Sequence, residues 1–182
     1  MNRGRPGRRV GLAIGTVALV VAACGPSGEA LPTVPPALIG PSTTVSPAVD
    51  LTRAELVRVL ADHRLVLTDT QAPVRPVESP LLASSPRAVY QVILPEDPGK
   101  GYIVVYDFRD PNSASEAAAE EQHFLATGPG RIQSPEGYVQ VLRQVGLTVV
   151  LYGWLPDAAR DPSAPEVQQA LEALGVGFPI GG

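Results

Sequence analysis

Apolar and polar positions alternate most regularly in the second half of the chain, where they predict strand pairs that are each followed by a helix. The runs 89–94 and 102–108 are rich in β-branched and aromatic residues, as strands are, and an acidic Pro-Gly turn separates them. Asp110 then precedes a run rich in alanine and glutamate that predicts a helix to about Ala126, where Gly128 follows. The pattern indicates a β-hairpin and a helix.

The same order of elements follows once more. Residues 138–143 and 147–154 predict two further strands, and Asp161 precedes a last helix that Gly175 ends. That helix carries an apolar stripe at the spacing of one helix face: Val167, Ala170, Leu171 and Leu174. The two units, 87–128 and 138–175, predict a ββα-ββα repeat.

Upstream of these units the pattern is weaker. Thr52 and Glu55 have the spacing of a capping box, and Leu51 can close a hydrophobic staple, so a helix is expected over about 51–63. A short strand over 64–68 follows, and then an irregular stretch, 72–86, that contains four prolines. We therefore expect an α+β domain over 51–182, with a small antiparallel sheet, helices on one face and an N-terminal helix first.

The first 23 residues have a different composition. Residues 1–9 carry four arginines and no acid, and an uncharged stretch continues to Ala23. This stretch is too short for a lasting membrane span, since a helix rises about 1.5 Å per residue and the hydrocarbon core is about 30 Å thick. The arrangement is typical of a secretory signal peptide, 1–23.

The end of this signal resembles the lipobox of bacterial lipoprotein precursors. Val21-Ala22-Ala23 precedes Cys24, the only cysteine of the chain. The resemblance implies that the thiol of Cys24 carries a diacylglycerol, that cleavage occurs just before it, and that the new amine receives a fatty acid such as palmitate. We expect a lipid anchor on the extracytoplasmic side of the cell membrane.

Residues 24–50 are expected to be a tether. They contain six prolines, while all nine aromatic residues of the chain lie between Tyr90 and Phe178. Removal of the signal leaves 10 basic against 18 acidic residues, so the formal net charge changes from −4 to −8. Such a balance argues against nucleic acid as a partner.

The inventory of catalytic motifs is thin. With Cys24 acylated, no cysteine nucleophile is left, and the chain has no phosphate-binding loop, dinucleotide fingerprint or Gly-x-Ser-x-Gly elbow. Glu120 and His123 have a metal-site spacing, but no second Glu-x-x-His exists to complete such a site. We predict neither a metal nor a cofactor, and no catalytic residue.

The remaining candidate surface is aromatic. Alternation places Tyr102, Tyr106 and Phe108 on one face of one strand, and Tyr152 and Trp154 on one face of another. If these rings lie on an uncovered side of the sheet, they form a surface for an envelope protein, a peptide or a glycan. If helices cover them, they belong to the core.

Together these observations favour a non-enzymatic binding or interaction module at the cell envelope. One alternative is a hydrolase of envelope polymers, which would need convergent carboxylates, with Glu96, Asp107 and Asp110 as candidates. The other is a small-solute capture module, which would need an apolar pocket with a few polar groups.

Overall fold

The computed structural model describes residues 45–181, which contain five helices and six strands. The helices are α1 (Pro47–Asp62), α2 (Pro80–Ser84), α3 (Pro111–Ala126), α4 (Pro129–Gln133) and α5 (Ala164–Glu172). The strands are β1 (Leu67–Asp69), β2 (Arg87–Val92), β3 (Tyr102–Asp107), β4 (Val139–Val145), β5 (Thr148–Trp154) and β6 (Val176–Gly177). The predicted α+β class is confirmed. The signal peptide, Cys24 and most of the predicted tether lie outside the described residues.

One antiparallel sheet contains all six strands, in the order β1-β2-β3-β5-β4-β6. The two predicted hairpins, β2–β3 and β4–β5, lie side by side, because β3 pairs with β5 along five residues from Ile103↔Tyr152 to Asp107↔Thr148. The two edges are short, since β1 has three residues and β6 has two.

The prediction that the helices lie on one face is wrong, because the sheet is covered on both faces. Ile103 and Val105 pack in a core with α1 and α5, whereas Val104 and Tyr106 pack in a second core with α3. A strand buried on both faces is apolar at successive positions. The unbroken buried run 103–106 is such a strand.

The repeated order of elements is present, but the two units differ in space. The helix after β3 covers one face, the helix after β5 covers the other, and the short helix α4 lies between the two units. If the two units were related by a two-fold axis, this axis would exchange the antiparallel neighbours β3 and β5 and would run perpendicular to the sheet. It would then place α3 and α5 on the same face of the sheet. The ββα units are therefore alike in order and not in arrangement.

Helix α1 begins earlier than predicted. Ser46 is its N-cap, with its hydroxyl accepting from Val49 N at 3.2 Å, and Pro47 is its first residue. The expected domain start at residue 51 thus falls inside the helix. Thr52 is not a cap: it is buried, and its hydroxyl lies 2.7 Å from the Thr148 hydroxyl of β5. Leu51, the expected staple, is 70% exposed.

Helices α3 and α5 follow the sequence more closely, whereas α2 lies within the stretch 72–86 that was expected to be irregular and α4 was not predicted. Asp110 caps α3 by accepting from Ser113 N at 2.9 Å. The apolar stripe of the last helix is buried as predicted, and Gly175 follows with a φ of +32°. None of the helices within 45–181 is long and apolar enough to cross a membrane.

We predict that Thr52→Val lowers the free energy of unfolding by about 1 kcal/mol, because it removes one buried hydrogen bond without changing side-chain shape. Chemical denaturation measures this. The matched control is Leu51→Ala on the exposed side of α1, for which we expect a change within about 0.5 kcal/mol. Equal losses in the two variants would contradict the tertiary role of Thr52.

Candidate functional site

The candidate carboxylates of the hydrolase alternative do not converge. Glu96 lies in the turn before β3, whereas Asp107 is the last residue of β3 and Asp110 lies beyond that end of the strand. Asp110 is occupied in capping α3, and its pKa is lowered by the hydrogen bonds from Ser113. Within the described residues no three His, Cys, Asp or Glu side chains form a metal-binding group. The hydrolase alternative thus lacks the cleft it requires.

Two other carboxylates do come together, and the sequence did not indicate it. The buried Asp97 accepts from the backbone N–H groups of Asp161 (2.9 Å) and Arg160 (2.6 Å), which hold its pKa below the ordinary value. Asp161, also buried, accepts from Glu96 N at 3.0 Å. These bonds fasten the β2–β3 turn to the segment before α5.

The five predicted surface aromatics do not form one exposed patch. Tyr106 and Tyr152 are 0% and 1% exposed, and they belong to the cores on opposite faces of the sheet. The Tyr106 hydroxyl donates to Glu78, and Phe108 packs against the core that contains α3. The five rings therefore do not share one exposed face of the sheet, and Tyr106 and Tyr152 belong to the core, which is the other alternative that the sequence left open.

Three of the five predicted aromatics, Tyr102, Tyr152 and Trp154, line a cavity at the end of the sheet where β3 begins and β5 ends. This space, which we call the aromatic cavity, has a volume of about 340 Å³. Its rings are Tyr102, Tyr138, Tyr152 and Trp154, of which only Tyr138 was not predicted. Its aliphatic wall includes Leu94, Val104, Leu151 and Leu155.

A glycine in β5 gives the Tyr138 ring its place. A Cβ on Gly153 would stand 2.5 Å from the Tyr138 hydroxyl and 2.7 Å from its ring, so the ring lies directly over this residue. Gly137, with a φ of +74°, turns the chain just before the ring. The position of Tyr138 thus depends on two glycines, and no apolar periodicity marks it in the sequence.

The Tyr152 hydroxyl in the aromatic cavity has no hydrogen-bond partner among the described residues. Tyr152 is almost fully buried, and burial raises its pKa, yet none of residues 45–181 forms a hydrogen bond with its hydroxyl. Across the same range, Glu121 Oε1 is the only fully enclosed side-chain oxygen or nitrogen that lacks a partner. The Tyr152 hydroxyl is therefore not fully enclosed, and the cavity that Tyr152 lines is the space open to it.

A larger groove, of about 790 Å³, lies between the start of α1, the segment after β1 and strand β2. Two of its three arginines, Arg53 and Arg87, are already held in close ion pairs. Arg53 donates to both carboxylate oxygens of Asp69, at 2.9 and 3.0 Å, and lies 5.9 Å from the centre of the Tyr90 ring. Arg87 donates to Glu78 at 2.8 Å. These pairs leave the groove less suited to recognising a charged ligand.

The buried carboxylate of Glu121 holds the segment 74–79, which leads from the aromatic cavity to α2. Glu121 of α3 is fully buried and accepts from Ser79 N at 2.6 Å. Burial raises its pKa from 4.5 to about 7, the Ser79 hydrogen bonds oppose this rise, and the nearby Glu78 and Glu120 add to it. Because Val74 to Pro76 line the cavity, the hydrogen bond between Glu121 and Ser79 helps to fix one of the cavity walls.

Comparison with known protein families, curated proteins and solved structures gave no match to this chain. The functional inference below therefore depends on the residues and on their geometry.

We predict that Glu121→Gln makes the protein more stable than wild type as the pH rises from about 4.5 to 7. The folded state holds the Glu121 proton more tightly than the unfolded chain, so wild-type stability decreases through this window, on the order of 3 kcal/mol for this one group. The amide does not ionise, and it can still accept from Ser79 N. Urea unfolding at several pH values measures the difference between the two proteins.

The control for this experiment is Glu116→Gln, which changes another exposed carboxylate on the same helix. We expect its stability to follow the wild-type pH dependence. A Glu121→Gln curve that runs parallel to wild type from pH 4 to 8 would show that this carboxyl is ionised in the folded protein.

Proposed function

We propose that this protein is a lipid-anchored extracytoplasmic binding module that captures a small ligand in the aromatic cavity. The observation that carries the proposal is Tyr152, a residue only 1% exposed, whose ring lines the cavity and whose hydroxyl has no hydrogen-bond partner within residues 45–181. Buried polar groups are normally satisfied, and a hydroxyl left open to a cavity is available to a ligand.

The size and lining of the cavity support a small molecule. Ligand pockets of about 300 Å³ or more, mainly apolar with a few placed polar groups, are the ordinary form of such sites. Protein interiors otherwise close such spaces, because an unfilled cavity costs stability. Four aromatic rings around one space supply flat surfaces on which a ring-shaped ligand can stack.

A small ligand fits this geometry better than a protein or glycan partner on a flat aromatic face. Helices cover both faces of the sheet, and two of the five expected surface rings are in the core. Tyr102, Trp154 and the buried Tyr152 line a concave space, and Phe108 does not line it. Of the functions that the sequence left open, solute capture is the one with a matching site.

The proposed location depends on the N-terminal sequence alone. Basic residues, a short apolar stretch and Val21-Ala22-Ala23-Cys24 support export and acylation of Cys24. Two or more acyl chains make an anchor stable, whereas one chain gives marginal membrane binding. A proline-rich tether would let the binding domain stand some tens of Å from the bilayer, at about 3 Å per residue.

The single tryptophan of the chain allows a direct test of ligand binding. Trp154 lines the cavity, so energy transfer from it to a bound naphthalene probe reports occupancy of this site. We predict that N-phenylnaphthylamine binds the acylated protein in detergent at one saturable site per chain, with detergent micelles alone as the blank. Tyr138→Leu is expected to weaken this binding about threefold to tenfold, because it removes one stacking surface.

The matched control is Phe108→Leu, which removes an aromatic ring at the other end of β3, outside the cavity. We expect its probe affinity to equal that of wild type, provided that circular dichroism shows a folded protein. No saturable energy transfer from Trp154 in the folded wild-type protein, or equal losses in the two variants, would refute the cavity as the binding site.

The anchor has a separate test. We predict that Cys24→Ala abolishes incorporation of labelled palmitate in the producing bacterium and moves the protein from the membrane to the soluble fraction. Exchanging another small residue of the signal, Ala22→Gly, is expected to leave labelling intact. Unchanged fractionation of Cys24→Ala would contradict lipid anchoring and would leave the cavity proposal unaffected.

A further inference from the structure

We infer that the ligand of the aromatic cavity is a ring compound with one anionic group, such as an aromatic carboxylate or sulfonate. This inference rests on the proposed function and specifies its ligand. It is drawn from the charged groups at the cavity, which are Arg75, Asp97 and Lys100.

Lys100 supplies a cation without a protein partner. It is the only lysine of the chain, it lies in the turn before β3, and it forms no ion pair with any residue between 45 and 181. Its backbone is held from two sides, because its N–H donates to Asp97 O at 2.9 Å and its carbonyl accepts from Gln91 Nε2 at 2.9 Å. The turn thus keeps the start of this side chain fixed beside the cavity.

The second cation, Arg75, is also available. Its guanidinium is 69% exposed and 3.7 Å from Glu78, a carboxylate that already accepts from Arg87 at 2.8 Å and from Tyr106. An anion in the cavity would therefore compete for Arg75 with a carboxylate that has two other partners. Exposed ion pairs of this kind contribute little to stability, so exchanging the partner costs little.

The acid in the cavity wall does not cancel these cations. Asp97 is saturated by the two backbone N–H groups of Arg160 and Asp161, and the Arg160 guanidinium donates to its other oxygen at 3.0 Å. The neighbouring turns carry Glu96 and Asp157, but neither side chain lines the cavity. The local balance at the site is positive.

The charge of the whole chain limits how many negative charges the ligand can carry. With the signal peptide removed, the formal charge is −8, which repels a polyanion as it nears the surface, within the screening length of about 8 Å at physiological salt. At the cavity itself, Lys100 and Arg75 are the nearest cations, and they attract one anionic group. The apolar and aromatic wall requires that the remainder of the ligand be apolar and flat.

Two probes that have the same rings, one charged and one uncharged, distinguish the contribution of the anionic group from that of the apolar rings. Anilinonaphthalenesulfonate carries a sulfonate that N-phenylnaphthylamine lacks, and energy transfer from Trp154 reports both. We expect Lys100→Gln to weaken sulfonate binding about threefold and to leave the uncharged probe unchanged. Rising sodium chloride should have the same selective effect, since it screens the ion pair.

The control variant is Arg109→Gln, which removes an exposed cation just after β3, at the other end of the strand from the cavity. It changes the net charge as Lys100→Gln does, so equal effects on sulfonate binding would show that only overall charge matters and would overturn the inference. Binding of both probes with no response to Lys100→Gln or to salt would overturn it as well, while the proposed function stands. Saturable binding of neither probe would refute the proposed function itself.

Discussion

The pairing of β3 with β5 is the interaction on which the rest of the structure depends. Each of the two hairpins has only two long strands, and a two-stranded hairpin is marginally stable in water. Joined through five registered pairs, they form one sheet whose two faces each build a core. Helices α1 and α5 bury their apolar sides against one face of the sheet, and α3 covers the opposite face.

The same pairing produces the aromatic cavity. Tyr102 begins β3 and Trp154 ends β5, so the antiparallel register brings the two to one end of the sheet. The bonds between Asp97 and the backbone before α5 then fix the turn beside this end, and the Glu121–Ser79 contact fixes the segment across from it. The cavity is thus framed by elements far apart in sequence, each tied to the sheet by a buried carboxylate.

Much of the fold could be predicted because its signals are local. Strands β3 and β5, the cap of α3 and the stripe of α5 each follow from a few neighbouring residues. The start of α1 is not predicted, because the six prolines of 24–50 favour a tether that includes Ser46 and Pro47. A cap residue followed by proline is nevertheless a typical helix start. The same pair, Ser79-Pro80, begins α2.

The two-sided burial of the sheet also had a sequence signal, the unbroken apolar run 103–106, whereas much of the cavity had none. Tyr138 lies over Gly153 because of the β4–β5 register and the turn at Gly137. Asp97 and Asp161 are 64 residues apart in the chain. Contacts of this kind depend on tertiary packing, which local residue patterns do not encode.

The short edge strands have a consequence if the domain is anchored to a membrane as proposed. Such an anchor would confine the molecules to two dimensions and bring identical sheets into frequent sideways encounter. A long, flat, free edge would then invite pairing between copies. Edge strand β1 has only three residues, and its Asp69 is paired with Arg53. At the opposite edge, next to β6, Arg143 donates to the carbonyls of Leu174 and Gly175. Such edges would allow the domain to be displayed densely on a cell surface without its sheets joining into fibres.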